Sequence, residues 1–363
     1  MGASLKVISP GILASIQDEG RRGYAGFGVP RSGAADPVAL QIGNALVGND
    51  PFVSAIEFRF LGPKVVANKG RIRLGLAANA TAELILAENG EKLSVSAWQT
   101  IVLNEGDVLA VSSLGEGATG YLTIEGGLDL TPVLESYSTY ARAKLGGVTG
   151  LPLQAGDVLD AIFDVPRDGM EKIVNSPPVL DSKIVRVMLG PQEDYFSEYE
   201  IEKFSCEAYK VSGDVDRMGI RTEGAELVPL PEKGSDLISD GLVPGSIQIP
   251  GSGQPIILFV DCQTIGGYPK IATVITADLP LLGQLMPGDS IRFELVNLVQ
   301  ARAALADQNS VIKNSIISIA EYFGEGVMDL KALYKSNLIG GVVDANLSGH
   351  FPGHLEGTSN ETD

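Results

Sequence analysis

The 363-residue chain is more than twice the common single-domain size, so two packed units with a large buried core are expected. A hydrophobic fraction of 44%, with 44 glycines and only 20% charged residues, describes a folded, turn-rich protein and excludes a disordered one. Forty-five acidic against 27 basic residues leave a net charge of −18, which repels nucleic-acid phosphates and anionic membranes, and no Lys/Arg cluster offsets it.

The opening MGASLKVISPG lacks the apolar stretch of a signal peptide, and no run approaches the roughly 20 apolar residues of a membrane helix, so a soluble, cytoplasmic protein is expected. Residues 36–46 predict a helix with Asp36 as N-cap, Pro37 at the first position, and Val38, Ile42 and Leu46 on one face. Alternating apolar runs at 72–76, 82–87, 100–103, 108–112 and 121–124 read as antiparallel strands between glycine turns. After the join at Ser176-Pro177-Pro178 a second series follows, at 185–189, 209–212, 246–249, 256–260 and 290–296. The expected class is therefore all-β with few helices, divided into residues 1–175, 180–302 and a tail at 303–363. Runs beginning at Leu103, Leu153 and Leu285 share a Gly-Asp turn that returns the chain into a sheet. In the tail, Ile312, Ile316, Ile319 and Phe323 recur at helical spacing, and beyond Leu338 the composition predicts a flexible end. Cys206 and Cys262 lack metal-ligand spacing and read as reduced, buried thiols.

Histidine occurs only at His350 and His354, in that loose end, so the body of the chain has no imidazole. This excludes a Ser-His-Asp triad, a Cys-His pair and a His-rich zinc site from the core, and no metal is expected. Residues 115–120, GEGATG, lack the lysine of a P-loop and put a glutamate where phosphates would be repelled. With no biotinylation stretch either, ATP or biotin would have to come from another chain.

Two polar concentrations are candidate sites. In residues 17–36, Gln17, Asp18, Arg21 and Arg22 stand among glycines that let backbone approach a small polar molecule. The plainer reading is a surface loop with a capping Asp36 and a structural ion pair from Asp18 to Arg21 or Arg22. In residues 261–278 an apolar strand delivers Asp261, Gln263, Thr264, Tyr268 and Lys270, followed by Asp278. Lys270 suits an oxyanion or carboxylate, and Asp278 suits proton transfer if its pKa is raised. The alternative is a hairpin with a solvated lysine and a helix-capping aspartate. Ser138 and Thr139 read as hydrogen-bonding groups or turn formers, and the run SGDVDRMG at 212–219 as structural.

The ordered runs QDEGRRGY, GVPRSGAAD, NALVGN, IEFRFLGP, ESYSTYARAKLGG, SGDVDRMGIR, GSIQIPGSGQP and DCQTIGGYPK resemble the family of 5-oxoprolinase C subunits and biotin-dependent carboxyltransferases, which includes allophanate hydrolase subunit 2 and KipA. The resemblance spans residues 7–302 and implies two tandem cyclophilin-like β-barrels with a cleft between them. It implies catalytic roles for Asp36, Lys270 and Asp278, and pocket roles for Gln17, Asp18, Arg21, Gln263, Thr264 and Tyr268. The activity implied is ATP-dependent opening of 5-oxoproline to glutamate, with a KipI-like B component and a lactam-utilising A component, ATP being used through one of those partners. Carboxyl transfer to urea or another amide from a partner's carboxybiotin, or non-enzymatic regulation of a KipI-like partner, are the alternatives. Two departures bear on substrate choice: Tyr24–Gly28 lacks the histidine of many members, and Gly150 is followed by Leu151 rather than arginine.

Overall fold

The computed structural model describes residues 2–163, 166, 168–179 and 182–323. Its strands are short, and its first half builds two sheets. One runs in the order Val158–Asp160, Ser4–Ser9, Lys64–Lys69, Val108–Val111, Ala82–Ile85, Lys92–Val95. The other runs Ser15–Gln17, Ala55–Arg59, Thr119–Ile124, Ile72–Ala77, Gln99–Leu103, Lys172–Val174, Ile319–Glu321. Leu5, Val65 and Leu109 of the first meet Ile56, Leu74 and Leu122 of the second in one buried core. The period-two alternation of these runs is what turns one face of each strand inward.

The second half closes into a seven-stranded barrel: Ile184–Leu189, Lys270–Val274, Ser246–Gln248, Ile256–Leu258, Gly219–Glu223, Ala208–Val215 and Ser290–Leu295, which returns to the first. The mainly β expectation therefore holds, with one exception to antiparallel pairing: Ile184–Leu189 and Ser290–Leu295 run parallel. Phe204 and Phe293 stack inside the barrel with ring centroids 4.5 Å apart. Residues up to Tyr322 form one compact unit.

Four α-helices accompany the sheets among the described residues: α1 (Pro37–Leu46), α2 (Glu198–Cys206), α3 (Leu279–Gln284) and α4 (Leu298–Ile317). Asp36 caps α1 as expected, accepting from the Val38 and Ala39 amides at 3.0 Å, and Val38, Ile42 and Leu46 are buried. The helix in the tail starts earlier than expected, at a capping box of Asn297 and Gln300. Ile319 leaves the helical register and pairs with Val174 in the first-half sheet. The expected flexible end, with His350 and His354, lies outside the described residues.

The three Gly-Asp turns share one device. Gly106, Gly156 and Gly288 have φ of 91°, 99° and 93°, which favours glycine. In each turn the aspartate accepts from the amide three residues upstream: Asn104 to Asp107, Gln154 to Asp157 and Met286 to Asp289. Of the two thiols, Cys262 is buried but Cys206, at the end of α2, is exposed. Burial, reinforced by Asp261, pushes the Cys262 thiol up to about 12 and leaves it unreactive. No helix among the described residues is long and apolar enough to cross a membrane.

Candidate functional site

A buried charge network joins the two halves. Glu57 and Tyr121 are direct cross-strand partners, so their side chains share a face, and Tyr121 Oη donates to Glu57 Oε2 at 2.7 Å. Arg217, from the barrel, donates to Glu57 Oε1 at 2.5 Å, to Asp261 Oδ2 and Oδ1 at 2.8 and 3.1 Å, and to the Gly33 carbonyl at 2.7 Å. Burial opposes the charged guanidinium, but Asp261 and Glu57 together outweigh it and raise the Arg217 pKa. The backbone follows the side chains, since Asp261 N donates to Arg217 O at 2.7 Å.

Above this network lies a cleft of about 700 Å³. Its walls come from four separate runs: Arg142 on the Ala141–Ala143 turn of the first half, Asp214 to Arg221 around a barrel hairpin, Gln248 at a strand end, and Gln263 and Tyr268 after the strand Ile256–Leu258. Asp216 closes the hairpin by accepting from the Met218 and Gly219 amides. Ile256 and Leu258 supply the apolar floor. Amide groups, guanidinium groups and an aromatic hydroxyl over an apolar floor suit a small polar molecule.

The expected site residues divide between this cleft and its surroundings. Gln263 and Tyr268 line it. Thr264 sits between them, its carbonyl accepting from Leu242 N. Lys270 is buried behind the wall, in the strand paired with Gln248, and its Nζ donates to Asp240 Oδ2 at 2.5 Å and Gly241 O at 3.0 Å. It is not the solvated lysine of the plainer reading. Asp36 lines a separate cavity of about 520 Å³ beside Trp98 and Gln284, and Gln284 Nε2 donates to its Oδ2 at 2.7 Å. Burial pushes the Asp36 carboxyl up to about 6 against the pull of the Ala39 amide, Gln284 and the Val38 amide. Asp278 lines a third cavity. It makes no cap bond to α3, because Arg186 takes its carboxylate through N, Nε and Nη2.

In the loop 17–22, Gln17, Asp18, Gly20 and Arg21 are buried, while Asp18, Glu19 and Arg22 line a further cavity of about 320 Å³. Asp18 accepts from the Gly20 and Tyr137 amides and from the Ser136 and Ser138 hydroxyls. The expected ion pair from Asp18 is absent among the described residues, and Arg22 binds Glu19 instead. Arg21 is buried and donates Nη2 to Ser138 O at 2.5 Å, while desolvation pulls its pKa down. Gln17 donates to Ser15 Oγ and Thr139 O. Phe27, 83% exposed where many members carry a histidine nearby, does not line the cleft, nor does Leu151. Sequence reasoning missed Arg186, Asp240 and Gln248 as partners or wall residues. Arg217 stood in a run read as structural, and its three-way binding is what ties that run to the cleft.

Two groups of β-sheet within one compact unit, tied by a buried ion network and sharing a polar cleft, define the class of mainly β proteins to which the chain belongs. The chain belongs to the family of the carboxyltransferase domain, subdomain A and B, whose family model matches residues 27–295. It is 35% identical over 307 residues to the C subunit of 5-oxoprolinase from Escherichia coli (strain K12), covering 84% of this chain and 95% of that protein. It is 32% identical to the urea amidolyase of Lachancea kluyveri over 85% of this chain but 18% of that much longer protein. The crystal structure of the Kluyveromyces lactis urea carboxylase superposes on 90% of this chain and 30% of its own length, with a TM-score of 0.76 and 29% identity.

Proposed function

We propose that this chain is the C component of an ATP-dependent 5-oxoprolinase, a hydrolase that opens the 5-oxoproline ring to glutamate with a KipI-like B component and a lactam-utilising A component. One observation carries the reading: the match runs along 95% of a free-standing 5-oxoprolinase C subunit, against 18% of a multidomain urea amidolyase. The cleft chemistry supports it. Gln263 offers one carbonyl and one NH₂ group, the complement of a lactam's N–H and C=O, while Gln248, 2% exposed, spends one amide hydrogen on Tyr268 O at 3.4 Å and has one left to donate. Opening an unactivated amide requires activation, which ATP would supply through a partner, while this chain binds and orients the ring and excludes water. In this reading Gln263 and Tyr268 face the substrate, and Lys270 stands behind Gln248.

The test is ATP-dependent glutamate formation from 5-oxoproline by the assembled three-component complex, with omission of this chain as control. Glutamate formation that requires the chain is expected. An assembled complex that forms none would sink the reading.

The second reading, carboxyl transfer to urea or another amide from a partner's carboxybiotin, is favoured by the likeness to urea carboxylase. Avidin separates the two, since it blocks transfer from biotin and leaves 5-oxoproline hydrolysis untouched. Partner binding with neither turnover is the outcome expected of a KipA-like regulator.

A further inference from the structure

The cleft floor is the outer face of three adjacent barrel strands, and their register sets out a row of side chains. Arg221 pairs with Ile256, and Ile256 pairs with Gln248. Neighbouring strands lie about 4.8 Å apart, so a guanidinium, an apolar side chain and a primary amide stand side by side over roughly 10 Å. Arg142 enters the same cleft from the first half. Its one polar contact is Nη1 to Met218 Sδ at 3.8 Å, and neither Arg142 nor Arg221 has a carboxylate within ion-pair distance among the described residues. Of the two acidic residues in the walls, Asp214 is exposed and Asp216 is held by its own turn.

We propose that Arg221, with Arg142 across the cleft, takes the carboxylate of a small ring acid whose ring lies over Ile256 and whose amide meets Gln248. In 5-oxoproline the carboxylate stands on the ring carbon bonded to the lactam nitrogen and the ring carbonyl lies on that nitrogen's other side, so with the carboxylate at Arg221 and the apolar ring carbons over Ile256 the carbonyl is the group turned toward Gln248. A planar guanidinium fork binds carboxylate bidentately, which makes these arginines specificity-determining residues. The inference rests on the 5-oxoprolinase reading for the ring and on the strand register for the carboxylate.

The test is isothermal titration of the full chain with 5-oxoproline, with 2-pyrrolidinone, which is the same lactam without the carboxylate, and with succinate. 5-Oxoproline is expected to bind at least about ten-fold more tightly than 2-pyrrolidinone, about 1.4 kcal/mol. R221Q and R142Q are expected to remove most of that difference while 2-pyrrolidinone binding and the melting temperature stay unchanged. Equal affinities for the two lactams, unaltered 5-oxoproline binding in both variants, or no binding of any probe overturns the proposal. Arginine-dependent binding of succinate without binding of 5-oxoproline upholds the carboxylate site and removes the 5-oxoprolinase reading. ATP-dependent glutamate formation that R221Q and R142Q leave unchanged overturns the site and keeps that reading.

Discussion

Asp36 performs two jobs whose demands conflict. As the cap of α1 it accepts two amide hydrogens, yet it is buried, and burial pushes its carboxyl from 3.8 to about 6. A carboxyl whose folded pKa exceeds its unfolded value contributes stability in full below pH 3.8, and that contribution is lost as the pH rises through about 6. The shift corresponds to about 3 kcal/mol at most between acid and neutral pH. Asp36→Asn keeps a capping oxygen and never ionises. It sets an NH₂ against Gln284, whose own oxygen is occupied by the Ala118 and Thr119 amides, but that cost does not vary with pH. Urea denaturation at about pH 5 and about pH 7.5 should therefore show the variant gaining on the wild type as the pH rises. Parallel pH profiles for the two proteins would show that Asp36 is not the titrating group.

At the scale of the element, glycine decides how closely helices approach sheets. A Cβ on Gly43 of α1 would stand 2.6 Å from Ala77 Cβ and 3.0 Å from Thr123 Cγ2. Alanine gains about 1 kcal/mol over glycine in a helix, whereas overpacking costs about 1–3 kcal/mol, so Gly43→Ala should lose about 1 kcal/mol. Gly283 of α3 is more constrained, because its Cβ would meet the Ala35 carbonyl at 2.4 Å. That backbone cannot swing away like a side chain: Ala35 N and Asp36 N are bonded to Glu57 and Tyr121. Gly283→Ala should cost more than Gly43→Ala in equilibrium urea unfolding, and the reverse order would show that the Ala35 backbone yields more easily than the side chains facing Gly43.

Local signals of this kind explain what the sequence disclosed. The cap, the N1 proline and the apolar spacing of α1 all lie within eleven residues, and the strand runs carry their own alternation. The start of α4 was legible too, in the Asn297-x-x-Gln300 box, but the isoleucine spacing drew attention further along. That spacing misled at Ile319 because pairing with Val174 overrides helical period. The site was far less legible. Lys270 and Asp278 looked free for chemistry, and their partners Asp240 and Arg186 lie 30 and 92 residues away, beyond any periodicity. Family motifs marked four walls of the cleft, but only the fold shows that they meet.

For the molecule as a whole, Arg217 is the link that makes the two halves one binding surface. It holds Glu57 of the first-half sheet and Asp261 of the barrel at once, with side chains only 13%, 1% and 10% exposed. Removing one member of such a buried set strands the others as uncompensated charges, typically costing about 3–5 kcal/mol. Arg217→Met should fall in that range, because both carboxylates stay buried without their cation. Replacing the carboxylates as well, with Glu57→Gln and Asp261→Asn in the same chain, should recover part of the loss, since neutral amides cost far less to bury. The cleft gives the companion readout: Met218 adjoins Arg217 and Gln263 follows Asp261 closely, and both line it. Arg217→Met should therefore weaken 5-oxoproline binding even under conditions where the protein remains folded by circular dichroism. A triple variant no more stable than Arg217→Met would mean that the network is not held together by charge. Unchanged ligand affinity in the folded single variant would mean that the two halves do not need it to shape the cleft.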